Sequence, residues 1–121
     1  MATGIASVGA NTALDAIRTD TPFIQLHVAD PGAAGTTSVA TETTRKAVTF
    51  SAASAGSMTT TADITWTGIA GSQDATHFTI WNASSAGTFK FSGTITANAY
   101  TAGDTFTIST GSLTLTVTPA S

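Results

Sequence analysis

The chain contains no cysteine. That absence excludes disulfide bonds, thiolate zinc ligands and cysteine nucleophiles, so the fold must be held by packing and hydrogen bonds. Charge is nearly as scarce: 9% of the 121 residues are Asp, Glu, Lys or Arg, against roughly 25% in ordinary soluble domains. The four cations, Arg18, Arg45, Lys46 and Lys90, are too few to track a phosphate backbone, so nucleic acid is not an expected partner. Long hydrophobic runs are also missing. No window approaches the roughly 18 apolar residues of a membrane span. The segment from Met1 to Asn11 has neither the basic start nor the continuous apolar stretch of a secretion signal. The expectation is a soluble chain made in the cytoplasm, with no membrane partner. A surface so poor in charge is weakly protected against association, which favours coverage by neighbouring protein.

What is abundant is threonine and serine, alternating with Phe, Ile, Leu and Val from Arg45 to Thr118. Successive strand side chains point to opposite faces, so period-two alternation buries one row and wets the other. Thr suits the wet row because its branched Cβ favours extended backbone while its hydroxyl stays hydrated. The predicted strands run over 23–29, 46–52, 58–66, 76–82, 88–96, 105–109 and 113–118. Their inward residues are Ile24, Leu26 and Val28, then Val48 and Phe50, Ala62, Ile64 and Trp66, Phe78 and Ile80, and Phe89, Phe91 and Ile95. The last two strands are expected to close as a tight hairpin over Thr110-Gly111-Ser112.

The segment from Gly4 to Arg18 breaks this pattern. Ile5, Val8, Ala10, Ala13, Leu14 and Ile17 recur at spacings of three and four, which predicts a short amphipathic helix capped by Ser7 or Asn11. Gly32 to Glu42 reads as a long surface loop without a core contribution. The fold class is therefore mainly β, a compact antiparallel sandwich or barrel of about seven short strands with an N-terminal helix. At this length one domain is expected over residues 1–121, with a helical segment at 1–20 and the β-sandwich at 21–121.

Site chemistry is thin. His27 and His77 fall opposite the apolar rows, but the acids Asp15, Asp20, Asp30, Glu42, Asp63, Asp74 and Asp104 are spread singly, so no metal site is expected. Ser and Thr are so numerous that pairing with a histidine is no motif, and no nucleophile elbow, phosphate loop or paired carboxylates occur. The chain is expected to be no enzyme and to carry no cofactor. If Phe78 and Ile80 face the core, then His77, Thr79 and Trp81 face outward, and an outward Trp marks a contact. Either an intersubunit interface or the 98–104 loop carrying Tyr100 would cover it. The expected interaction surface comprises His77, Trp81, Tyr100, His27, Asp30, Pro31 and Gly32.

Two stretches, Leu26-His27-Val28-Ala29-Asp30-Pro31-Gly32 and Ala75-Thr76-His77-Phe78-Thr79-Ile80-Trp81-Asn82-Ala83, resemble a family of small tailed-phage virion proteins. The resemblance continues through Gly87-Thr88-Phe89, Gly103-Asp104-Thr105-Phe106 and Gly111-Ser112-Leu113-Thr114-Leu115. The chain departs from the family pattern at Thr43-Thr44-Arg45, where a Tyr is expected before the Arg, and at Asn82, where an acid is expected. The resemblance implies a virion structural protein, with capsid decoration on the major capsid protein lattice preferred. A minor tail or tail-fibre-associated protein is the alternative, and a carbohydrate-binding module for host attachment, stacking sugar on Trp81 and Tyr100, is a second one. It also implies partners among the capsid or tail proteins of the same virion, with a homo-oligomer expected.

Overall fold

A computed structural model describes residues 4–117. Helix α1 (Ser7–Arg18) is followed by eight short strands: β1 (Phe23–His27), β2 (Lys46–Ala47), β3 (Ser57–Thr59), β4 (Ile64–Trp66), β5 (Gln73–Trp81), β6 (Phe89–Tyr100), β7 (Phe106–Ile108) and β8 (Thr114–Thr116). All pairings are antiparallel, and the fold is mainly β as the alternation predicts. Thr118, assigned to the last predicted strand, lies outside the described residues, as does Met1–Thr3 of the N-terminal segment.

One layer is the four-stranded sheet in the order β2-β1-β5-β6. Its even-numbered residues Ile24, Leu26, Phe78 and Ile80 are buried in a core shared with Trp66, Met58, Ile64, Phe106, Ile108, Leu113 and Leu115 of the other layer. Phe91, opposite Ile80, joins this face with its ring centre 6.3 Å from that of Phe78. Two irregularities in the β5–β6 ladder change the phase. One falls between Ala75 and His77, and places odd-numbered Ala75 in the core. The other falls between Ile80 and Trp81, where β6 has Lys90 as an extra residue. A bulge turns the following side chain over. Phe89 therefore lies on the Trp81 face, not beside Phe91 as the uninterrupted alternation predicts.

The second layer corrects two expectations. The predicted 58–66 strand is two strands, β3 and β4, broken at Thr60–Asp63, and Ala62 in the break is exposed. The expected closing hairpin does not form: β8 pairs with β3, and β7 pairs with β4. Both segments bend together. Thr60 donates its N–H to the Leu113 carbonyl (3.1 Å), and Gly111 donates to both the Thr60 carbonyl (3.0 Å) and its Oγ1 (3.0 Å). Asp63 Oδ1 accepts from the Thr110 N–H (2.7 Å) and hydroxyl (2.9 Å). Gly111 holds φ at 78° in this corner, a conformation that side chains with a Cβ disfavour. Long-range pairing prevails over the local turn because it buries Leu113, Leu115, Phe106 and Ile108 against the sheet.

The helix starts later than its sequence pattern, at Ser7, with Ala6 as a cap that offers no side-chain hydrogen bond. Neither expected cap residue caps. Asn11 accepts instead from the Gly56 N–H at 2.9 Å, and Asp15 accepts from the Ala53 N–H at 3.0 Å, tying the helix to the second layer. Ala10 and Leu14 are buried and Ile17 packs against the core, whereas Ile5 and Val8 are exposed.

Candidate functional site

The odd-numbered face of the four-stranded sheet was expected to be wet, and it is a second, polar–aromatic interior. His27 and Thr79 are 0% exposed, and Gln25 and Trp81 are 8% exposed. Their cover comes from two distant segments. The chain after β1 folds back over the sheet, burying Pro31 and Gly35, and a Cβ on Gly35 would lie 2.7 Å from Phe89 Cδ1. Ala40 and Glu42 are buried too, so the 32–42 segment does contribute to the interior. From the other side Arg45 places its guanidinium carbon 4.2 Å from the centre of the Trp81 ring.

Hydrogen-bond inventory gives this face a direction. Trp81 Nε1 can only donate, and it donates to Thr79 Oγ1 at 2.7 Å. Thr79 Oγ1 also lies 2.9 Å from His27 Nε2, and His27 Nδ1 lies 2.9 Å from the Thr37 carbonyl. A carbonyl only accepts, so Nδ1 carries a proton and donates to Thr37, and in the neutral ring Nε2 accepts from the Thr79 hydroxyl. Burial pulls the His27 pKa below its ordinary value. The bond to the Thr37 carbonyl opposes that shift, and the nearby His77 and Arg45 add to it.

Arg45 closes the end of the face. It donates through Nη1 to the carbonyls of Ala83 (3.1 Å) and Ala86 (2.7 Å), and through Nε to Gln25 Oε1 (3.4 Å). Phe89 covers the remaining Trp81 surface, with ring centres 5.4 Å apart at 43°. The 98–104 loop weighed from the sequence is not the cover found. Tyr100 is at the far end of β6, opposite Gln73, and packs on Phe106 at 5.3 Å.

Of the seven expected contact residues, the fold buries four: His27, Trp81, Tyr100 (7% exposed) and Pro31. Asp30 and Gly32 are exposed, and Asp30 Oδ1 accepts from the Gly32 N–H at 2.9 Å. His77 is half-buried on β5, its Nδ1 2.9 Å from Thr76 Oγ1. His27 and His77 are direct cross-strand partners, and Trp81 lies at the opposite end of that strand pair, beside Phe23. Tyr100 shares no contact surface with them. Sequence reasoning missed Arg45 and Phe89. Arg45 sits one residue before a strand in a chain with four cations, which was the available signal.

A second polar cluster lies at the other end. Trp66 Nε1 donates to the Thr44 carbonyl (2.9 Å), and Glu42 accepts from the N–H groups of Ala70 (3.1 Å) and Thr44 (3.2 Å). Burial pushes the Glu42 carboxyl up, but these bonds and nearby Lys46 outweigh it and hold it below its ordinary range. The Tyr100 hydroxyl is pushed up by burial and by the Glu42 charge. Among the described residues no three His, Asp or Glu side chains gather as a metal-binding group.

The outer surface of the second layer is rows of hydroxyls. Ser57 and Thr116 are hydrogen-bonded at 3.2 Å and Thr65 and Thr107 at 3.2 Å, while Thr61 donates to Thr49 at 2.8 Å. The cations do not interrupt these rows. Arg18 is paired with Asp15 at 3.0 Å, Lys90 with Asp20 at 3.3 Å, Arg45 is spent on the Trp81 clamp, and Lys46 lies near Glu42. No helix among the described residues is long and apolar enough to cross a membrane.

Comparison with known proteins gives one family. The family described as Podophage GP4 fiber I protein gp80 matches residues 7–116. No curated protein matches the chain.

Proposed function

The chain belongs to this podophage fibre protein family, and from that premise we propose that it is a non-enzymatic structural subunit of the virion, placed on a fibre at the tail. The family description supports the fibre placement over capsid decoration, which the sequence alone favoured. The observation that carries the structural role is the surface itself. Arg18 and Lys90 are paired with acids and Arg45 is stacked on Trp81, while the outer face of the second layer carries rows of Ser and Thr hydroxyls that can meet another neutral protein surface without stripping water from charges of their own. Its partners are other proteins of the same virion, including further copies of this chain.

The carbohydrate-binding alternative loses its support. Sugar stacking needs an aromatic face open to solvent, and Trp81 and Tyr100 are 8% and 7% exposed.

The test is quantitative mass spectrometry of purified virions combined with immunogold labelling. A small number of copies per particle with label at the tail is the expected result. Hundreds of copies with label over the shell would replace the fibre reading with decoration, and absence from the particle would end both.

A further inference from the structure

Strand β6 is the longest of the fold, at 12 residues, and it ends the four-stranded sheet, so one of its edges has no neighbouring strand. The direction of its backbone groups follows from the far side of the sheet. Val28 donates to Ser38 and Ala40 to Leu26, so the even-numbered residues of β1 turn their backbone groups away from β5. Gln25 and His27 therefore turn theirs toward Thr79 and His77. Alternation along β5 then aims Phe78 and Ile80 at Gly93 and Phe91. Ser92 and Thr94 are left with N–H and C=O groups pointing out of the sheet. Both residues are exposed, and among the described residues no backbone bond outside the β5 ladder reaches either of them.

The opposite edge of the sheet is guarded, and this one is not. Bare edges recruit further strands unless short length, charge, proline or bulges blunt them. Strand β2 is two residues long and carries Lys46. On β6 the only charge is Lys90, and its ammonium lies 3.3 Å from Asp20 Oδ2. The irregularities of the β5–β6 ladder fall on either side of Phe91–Thr94. That stretch, with Ile95 after it, has neither charge nor proline.

We infer that two copies of this chain join β6 to β6, antiparallel, about a two-fold axis at Gly93. The register sets Ser92 of each copy against Thr94 of the other, and each such pair exchanges both of its backbone bonds. It also sets Gly93 against Gly93, and Phe91 against Ile95. The contact gives the fibre-subunit reading a place where copies meet, and it rests on that reading only for its position in the particle.

The strand is complementary to itself in this register. Phe91 and Ile95 stand two positions to either side of Gly93, both half-buried against the core, so each keeps apolar surface that the facing copy can cover. Gly93 falls in the close, non-bonded pair on the axis, and it has no side chain to hold the strands apart. Its own core keeps it so, because a Cβ there would lie 2.8 Å from Phe78 Cε1. On the other face Ser92 and Thr94 would meet as hydroxyl partners. The fold already pairs Ser57 with Thr116 and Thr65 with Thr107 in that way across its antiparallel ladders. A two-fold contact uses every one of these pairs twice, and neither side brings a charge that the other must answer.

Sedimentation equilibrium of the purified full chain should show monomer and dimer in exchange. In hydrogen-exchange NMR the Ser92 and Thr94 amides should gain protection as concentration rises, while those of Phe91 and Gly93, bonded to β5, stay protected throughout. Ser92→Lys combined with Thr94→Lys faces like charges across both pairs and should weaken the dimer about tenfold or more. Ser92→Glu combined with Thr94→Lys faces opposite charges in the same pairs and should restore it. Thermal melts of both variants, diluted to the monomer, separate pairing from folding. A chain that stays monomeric at about 1 mM, a dimer whose Ser92 and Thr94 amides remain unprotected, or one weakened equally by the two double variants would each overturn the contact. Because these measurements use purified protein, a monomer would leave the virion placement standing, and label over the shell would leave the dimer standing.

Discussion

Arg45 and Trp81 form a stacked clamp in which the guanidinium carbon stands 4.2 Å from the indole centre while Nη1 holds two carbonyls of the 83–87 loop. Guanidinium is planar and forked, so it can face a ring and donate in its own plane at once, and an ammonium cannot. Arg45→Ala should cost about 2 to 4 kcal/mol from the lost cation–π contact and charge-assisted bonds. Arg45→Lys should recover less than half of that. Chemical denaturation of the three proteins checks it, and full recovery by Lys would show that only the charge matters.

Thr79 divides the buried face from the surface rows, although its residue type is the same. Thr79→Val removes the hydroxyl that serves both Trp81 Nε1 and His27 Nε2, at 0% exposure. Leaving those buried groups unpaired should cost about 2 to 4 kcal/mol. Thr79→Ser keeps the hydroxyl and gives up one methyl group, at about 1 kcal/mol. If Val is tolerated better than Ser in a thermal melt, the directional chain through His27 contributes nothing.

The apolar face of the fold was legible in the sequence and the polar one was not, for a physical reason. Ile24, Leu26, Phe78, Ile80, Ile64 and Trp66 announce burial by composition, because their transfer from water is favourable wherever they are placed. Gln25, His27 and Thr79 are buried only because Thr37, Trp81 and Arg45 arrive from elsewhere to satisfy them. Period-two reading assigned them to water, and Trp81 with them. The extra residue at Lys90, which carries Phe89 across to Trp81, has no composition signal. The 110–112 turn looked like a hairpin from its Thr-Gly-Ser sequence, yet Gly111 serves a corner between two long-range ladders.

Glu42 should make the protein acid-labile. Its folded pKa is held below the ordinary carboxylate range, so as pH falls through that range the unfolded chain takes up the proton first. Stability is then fully present above the unfolded value and is lost progressively below it. Asp63, whose carboxyl is held down by the Thr110 N–H and then by the Thr110 hydroxyl, acts in the same direction. Glu42→Gln presents one carbonyl oxygen to two backbone N–H groups, which should cost about 1 to 3 kcal/mol at pH 7. It should also flatten the dependence of the denaturation midpoint between about pH 3 and 5. A variant with an unchanged pH slope would locate acid sensitivity elsewhere.

The hydroxyl rows can be separated from the fold because they face away from the core. Thr65 and Thr107 are exposed cross-strand partners, with their hydroxyls 3.2 Å apart. Thr65→Lys and Thr107→Lys, made singly, remove one exposed hydrogen bond and place a charge in water, so each should change stability by no more than about 0.5 to 1 kcal/mol. At a protein–protein contact the same ammonium must shed its water without an acid to meet it, so incorporation into virions should fall at least tenfold. Complementation of a phage lacking the gene, with particle-bound protein measured by mass spectrometry and the purified variants by thermal melting, separates the two effects. Normal incorporation of both variants would remove these rows from the interface and leave the exposed Asp30–Gly32 turn as the next surface to probe. Reduced incorporation with an unchanged melt would mark the β4–β7 threonines as the face turned toward neighbouring virion protein.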